Sequence, residues 1–99
     1  MKARILVIGR NVDILQTVLR LCNGQPEYEA LGAMTDEEAR DLFSKNDFDL
    51  VLIGGGVEEN SEVKLSSEFQ IKKKDIKIIR HYGGGSGLLF NELRQALEK

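Results

Sequence analysis

Glu58-Glu59-Asn60-Ser61-Glu62-Val63-Lys64-Leu65-Ser66-Ser67-Glu68-Phe69-Gln70-Ile71-Lys72-Lys73-Lys74-Asp75 is the stretch on which the fold turns. Its apolar residues Val63, Leu65, Phe69 and Ile71 fit the two-residue alternation of a strand at least as well as a helical spacing. The flanks decide between the two. On one side Phe48 to Ile53 reads as a buried strand, ended by Gly54-Gly55-Gly56, where the chain can turn at no steric cost. On the other side Ile76 to Ile79 reads as another strand, continuing to His81. Two parallel strands need a crossover of about a dozen residues or more, which is usually a helix. The reading therefore predicts a helix over residues 60 to 73.

Working outward, Ala3 to Ile8 is rich in Ile, Leu and Val without polar alternation, the pattern of a strand covered by helices on both faces. After Gly9-Arg10-Asn11, the residues Ile14, Val18, Leu21 and Cys22 recur at helical spacing, with Leu15 widening the stripe. Asn23-Gly24 supplies a left-handed C-cap and Pro26 a stop before a short strand, Tyr28 to Met34. Thr35 followed by Asp36, Glu37 and Glu38 reads as a capping box opening a helix that buries Ala39, Leu42 and Phe43. Beyond the fourth strand lies a glycine cluster, Gly83 to Gly87 with Ser86 inside it, and a last helix burying Leu89, Leu93, Ala96 and Leu97. Alternating strands and helices with short connections predict an α/β fold: one doubly wound parallel sheet of four strands in order 2-1-3-4, helices on both faces. The 99 residues make one domain, residues 1–99.

Composition removes several functions. With 41% hydrophobic and 30% charged residues and a single Pro, the chain has the makings of a packed globular core. A formal charge of -2 gives no overall attraction to nucleic acid, so no nucleic-acid partner is expected. The apolar runs are strand-sized, far short of the roughly 20 residues that cross a bilayer, and no membrane partner is expected either. Met1-Lys2-Ala3-Arg4 runs directly into a strand without an apolar leader, which predicts a cytoplasmic protein. The single Cys22 allows no internal disulfide or cysteine metal cluster, and its place on a helical stripe marks it as core filler.

In an open parallel sheet the site lies beyond the carboxyl ends of the central strands, here at Gly9-Arg10-Asn11, Gly54-Gly55-Gly56 and Arg80-His81-Tyr82. Ile5-Leu6-Val7-Ile8-Gly9-Arg10-Asn11 resembles the first strand of a response-regulator receiver domain, Asp49-Leu50-Val51-Leu52-Ile53-Gly54 the third, and Ile76 to Gly83 the fourth. The resemblance implies a receiver-like, flavodoxin-like fold. It also implies what this chain lacks. In receivers an acidic pair after strand one holds Mg²⁺ and an aspartate ending strand three accepts a phosphoryl group. Those places fall on Gly9, Arg10 and Gly54, and the switch Ser or Thr of strand four falls on Arg80. The fourth helix and fifth strand of the family have no counterpart. The chain resembles a shortened pseudo-receiver, with no catalytic residues, no metal site and no cofactor.

Two readings of the remaining residues stand side by side. Arg10, Asn11, Gly54, Gly55, Arg80, His81, Gly84, Gly85 and Ser86 could bind a small anion through guanidiniums and glycine-loop N–H groups. Alternatively, the arginines are solvated or paired with acids such as Asp13 or Glu58, and the glycines only make turns. His81 has no Ser, Cys or acid at a diagnostic spacing, Lys72-Lys73-Lys74 reads as a solvated helix end, and Asp47 and Asp49 are not a carboxylate pair. The leading expectation is a non-enzymatic regulatory or protein-interaction module. A protein partner or a second copy, forming a homodimer through the fourth-strand edge, is expected to cover that edge. The alternative is a small anion- or nucleotide-binding protein.

Overall fold

The computed structural model describes residues 2–81 and 86–97, with side chains for 2–80 and 89–97. Eight elements alternate strictly: β1 (Ala3–Ile8), α1 (Val12–Asn23), β2 (Tyr28–Ala33), α2 (Asp36–Lys45), β3 (Leu50–Gly54), α3 (Glu59–Lys72), β4 (Lys77–His81) and α4 (Ser86–Leu97). The four strands form one parallel sheet in the order β2-β1-β3-β4. Both faces of the central strands are covered. Leu6, Ile8, Val51 and Ile53 pack with Ala39 and Phe43 of α2 and Leu65 and Phe69 of α3. Their neighbours Ile5, Val7, Leu50 and Leu52 pack with Leu15 and Cys22 of α1 and Leu89 and Leu93 of α4. Successive strand residues point to opposite faces, so a strand with helices above and below must be apolar at every position. That is why Ile5 to Ile8 and Leu50 to Ile53 carry no alternation.

The segment that decides the fold is helical, over Glu59–Lys72. Leu65 and Phe69, four residues apart on one helical face, are buried, whereas Val63 is 59% and Ile71 81% exposed. Phe69 stacks on Phe43 with ring centroids 4.1 Å apart, which fastens α3 to α2 under the sheet. Two of the four apolar residues thus lie on the outer surface, and it was they that made the sequence look like a strand.

Helix α1 differs in detail from expectation. Leu15 and Cys22 are buried with Val18, Leu19 and Leu21 partly so, but Ile14 is 64% exposed. Leu15 and Cys22, seven apart, fix the centre of the buried stripe, and Ile14 lies about 100° around the helix from it. Gly24 ends α1 in a right-handed conformation (φ -73°, ψ -13°), not the left-handed one. Its N–H reaches the Arg20 carbonyl at 3.0 Å, and the Gln25 N–H reaches that of Cys22 at 3.1 Å, so these two terminal carbonyls are satisfied without positive φ. Asn23 instead caps part of the β2 edge. Its side chain donates to the Ala30 carbonyl at 3.1 Å and accepts the Ala30 N–H at 2.8 Å, taking both groups that face away from β1. The capping box of α2 is present: Thr35 Oγ1 accepts the Glu38 N–H at 3.1 Å and Glu38 Oε1 accepts the Thr35 N–H at 3.2 Å. No helix among the described residues is long and apolar enough to cross a membrane.

Candidate functional site

The parallel register brings the carboxyl ends of β1, β3 and β4 to one edge, with Ile8 beside Ile53 and Gly54 beside His81. The sequence emerges there as Gly9-Arg10, Gly54-Gly55-Gly56 and Arg80-His81. Around this edge the first turns of α2 and α3 deliver Asp36, Glu37, Glu38, Glu59 and Glu62, acids placed where a helix N-terminus favours them.

Arg10 is engaged on all three nitrogens. Nη2 donates to Asp36 Oδ1 at 2.5 Å, Nε to Glu58 Oε1 at 3.2 Å and Nη1 to the Met34 carbonyl at 2.7 Å. Arg80 is held through its two terminal nitrogens on the other side of the loop between β3 and α3. Its Nη1 donates to Glu62 Oε1, and its Nη2 to the carbonyls of Val57 at 2.9 Å and Gly55 at 3.4 Å. The two arginines share no carboxylate in these contacts. Glu58, foreseen as a partner, is one, but Asp13 makes no ion pair with Arg10, and Asp36 and Glu62 are partners the sequence reading did not name. Their signals were present: the capping box sets Asp36 at the first position of α2, and Glu62 follows Glu58 by one helical turn.

The electrostatics follow from the contacts. Burial works against the charge of Asp36, but hydrogen bonds from Arg10 and Ser61 outweigh it and hold the carboxyl below its ordinary pKa. Glu58 is lowered chiefly by the hydrogen bond from Arg10 and then by its own backbone N–H. Burial likewise opposes the charge of Arg10, and its bonds to Asp36 and Glu58 outweigh that and raise its pKa. One guanidinium against the two carboxylates of Asp36 and Glu58 leaves this cluster formally at -1, and Arg80 with Glu62 at zero. The edge is not electropositive at these groups.

The other predicted residues divide. Asn11 caps α1, its Oδ1 accepting the Ile14 N–H at 3.1 Å. Gly54 closes β3, and a Cβ added to it would stand 3.1 Å from the Ile8 carbonyl oxygen. Gly55 offers its carbonyl to Arg80, which is the opposite polarity from an anion-binding N–H. His81 ends β4 and Ser86 opens α4 by backbone, while Gly84 and Gly85 lie outside the described residues. Among the described residues no group of three or more His, Cys, Asp or Glu is arranged to hold a metal ion. At the opposite end of the sheet an open cavity of about 350 Å³ lies between Phe43, Asn46, Asp47 and Lys73. Lys73, read as part of a solvated helix end, is fixed there. Its ammonium donates to Asp47 Oδ1 at 2.8 Å and to the Phe48 carbonyl at 2.6 Å.

Against known proteins, no family model matches the chain, and no curated protein does. Solved structures do. The response regulator protein TrrA of Thermotoga maritima, in complex with Mg²⁺-BeF, is similar at 25% identity over 98% of this chain and 100% of that one, with a TM-score of 0.81. The complex of the histidine kinase ThkA with TrrA matches at 26% identity over 99% and 100%, TM-score 0.76. A CheY-like receiver domain protein from Methanospirillum hungatei JF-1 matches at 15% identity over 98% and 94%, TM-score 0.83, a likeness of fold alone. The fold is receiver-like, and such a fold supports a regulatory signalling module.

Proposed function

We propose that this chain is a non-enzymatic regulatory module of pseudo-receiver type, not phosphorylated on aspartate, that acts by binding a protein partner in the cytoplasm. The observation that carries the reading is Gly54. It stands at the end of β3, where the resemblance puts the phosphoryl acceptor, and it has no side chain to accept anything. The backbone there is also adapted to glycine, since a Cβ would press on the Ile8 carbonyl at 3.1 Å, tighter than ordinary contact. Support comes from Arg10, which takes a receiver's acidic position and spends its donors on Asp36, Glu58 and Met34.

A protein partner is supported by the fold's use in TrrA, which is seen bound to the histidine kinase ThkA. In this chain β4 pairs with β3 and stands at the edge of the sheet among the described residues, while on the β2 edge Asn23 takes up the backbone groups of Ala30. The β4 edge is therefore the side assigned to a partner or a second copy. The test is incubation of the pure chain with acetyl phosphate and Mg²⁺, read by intact mass. No phosphoryl increment is expected. A base-labile phosphoryl adduct on an aspartate sinks the proposal. Thermal melts with phosphate, nucleotides and small carboxylates, run on wild type beside Arg10→Ala and Arg80→Ala, address the anion-binding alternative. A true ligand at a hundred times its Kd adds about 2.7 kcal/mol. A stabilisation lost in either variant would replace the interaction module with an anion-binding protein.

A further inference from the structure

The loop between β3 and α3 carries Gly55 and Gly56, residues that lose the most backbone freedom on ordering. Its internal tie is slight, one bond from the Val57 N–H to the Gly54 carbonyl at 3.2 Å. Yet both flanking strands send an arginine into it. From β4, Arg80 binds the carbonyls of Gly55 and Val57 and the Glu62 carboxylate one turn into α3. From the end of β1, Arg10 binds Glu58, which ends the loop, and joins it to Asp36 and Met34 at the start of α2. Glu58 is the N-cap residue of α3 but makes no side-chain cap bond. Its carboxylate goes to Arg10 instead, so the first turn of α3 takes its anchorage from β1 and not from its own cap.

We infer that Arg10 and Arg80 form a fixed brace that holds the Gly54-to-Glu58 loop and the start of α3 in one conformation, with no need of a divalent cation or a phosphoryl group. The inference rests on the pseudo-receiver reading and deepens it: the Gly54-to-Glu58 loop keeps the same surface in every state. A ligand moves a conformational equilibrium only by its differential affinity for two states. Charge-assisted bonds from both sides lower the free energy of this conformation relative to any in which the arginines are released. The groups that set the brace are Arg10, Asp36, Arg40, Glu58, Ser61, Glu62 and Arg80, drawn from every element around the loop.

Nuclear magnetic resonance of the full chain tests this. At neutral pH the guanidinium protons of Arg10 and Arg80 give resolved, slowly exchanging signals, unchanged by Mg²⁺ or acetyl phosphate. Amide exchange of Val57 and Glu62, whose N–H groups bond the Gly54 and Glu58 carbonyls in the loop and the first turn of α3, becomes about tenfold faster or more in Arg10→Ala and in Arg80→Ala, while β1 and β3 amides keep their protection. Motionally averaged guanidinium signals in the wild type, or loop exchange within about twofold of wild type in a folded variant, overturns the brace. Should an alanine variant fail to fold, Glu62→Gln keeps the size, removes the charge and is judged by the same exchange. The two ideas fail separately. Phosphorylation of the wild type defeats the pseudo-receiver reading, whereas unchanged exchange in an unphosphorylated chain defeats the brace alone.

Discussion

Truncating the four apolar residues of α3 one at a time to alanine asks whether the segment between β3 and β4 is held as a helix. Leu65 and Phe69 are 0% and 1% exposed and pack under the sheet with Val51, Ile53 and Phe43. A buried Leu→Ala costs about 2–5 kcal/mol and a buried Phe→Ala about 3–5 kcal/mol, the lost burial plus the cavity left behind. Phe69→Ala belongs at the upper end, because it also removes the stack on Phe43 at 4.1 Å. Val63 and Ile71 are 59% and 81% exposed, so their truncation stays within about 0.5 kcal/mol. Val63→Ala gains a few tenths of a kcal/mol from helix propensity, which partly offsets its loss. Urea unfolding followed by circular dichroism measures all four against wild type. Since a domain of this size has about 5–15 kcal/mol in total, Phe69→Ala and Leu65→Ala show a much lower midpoint or do not fold. The expected pattern is costly at 65 and 69 and nearly free at 63 and 71. A strand would put all four side chains on one face, and comparable costs at all four positions would refute the helix. So would an Ile71→Ala cost above about 1 kcal/mol.

Two further outcomes follow from the ionised and buried groups. Asp36 and Glu58 have folded pKa values below the ordinary ones, so their pairing with Arg10 stabilises the chain above the unfolded carboxylate range near pH 4 and is lost as pH falls through the folded values. Arg10→Gln is therefore less stable than wild type at neutral pH, and the gap closes as pH falls to about 3 in urea titrations; a gap that stays constant contradicts the assignment. Cys22 is fully buried and burial pushes its thiol pKa up to about 11, so a thiol reagent at mildly alkaline pH labels the unfolded chain and leaves the folded one unmodified. Rapid labelling of the native protein would place Cys22 outside the core.

The strands and α2 were legible because their signals are local. Ile5 to Ile8 and Leu50 to Ile53 are apolar at every position, which only a doubly covered strand requires, and the Thr35-to-Glu38 box closes on itself. The spacing puts Ile14 on the α1 stripe and Leu15 at its margin, whereas Leu15 is buried and Ile14 exposed, because hydrophobicity alone does not say which side of a helix meets the sheet. Gly24 was assigned a left-handed cap on residue type, whereas carbonyl bonding in a right-handed turn already satisfies the helix end.

At the candidate site, the sequence marked Arg10, Gly54 and Arg80 as the residues at the strand ends, because strand order and parallel direction place them on one edge. Their partners are another matter. Asp36 lies 26 residues from Arg10, Glu58 lies 48 and Glu62 lies 18 from Arg80. The sequence alone determined the order of elements, the doubly wound sheet and the glycine at the end of the third strand, since each depends on residue type and short-range periodicity. Only the tertiary structure decided that the two arginines are bound to carboxylates and loop carbonyls, because those contacts arise when two separately formed helices, α2 and α3, dock on one sheet. Pairing across such separations is set by where the helix ends come to rest: a local pattern marks a helix start, as the capping box does for Asp36, but not which side chain meets it.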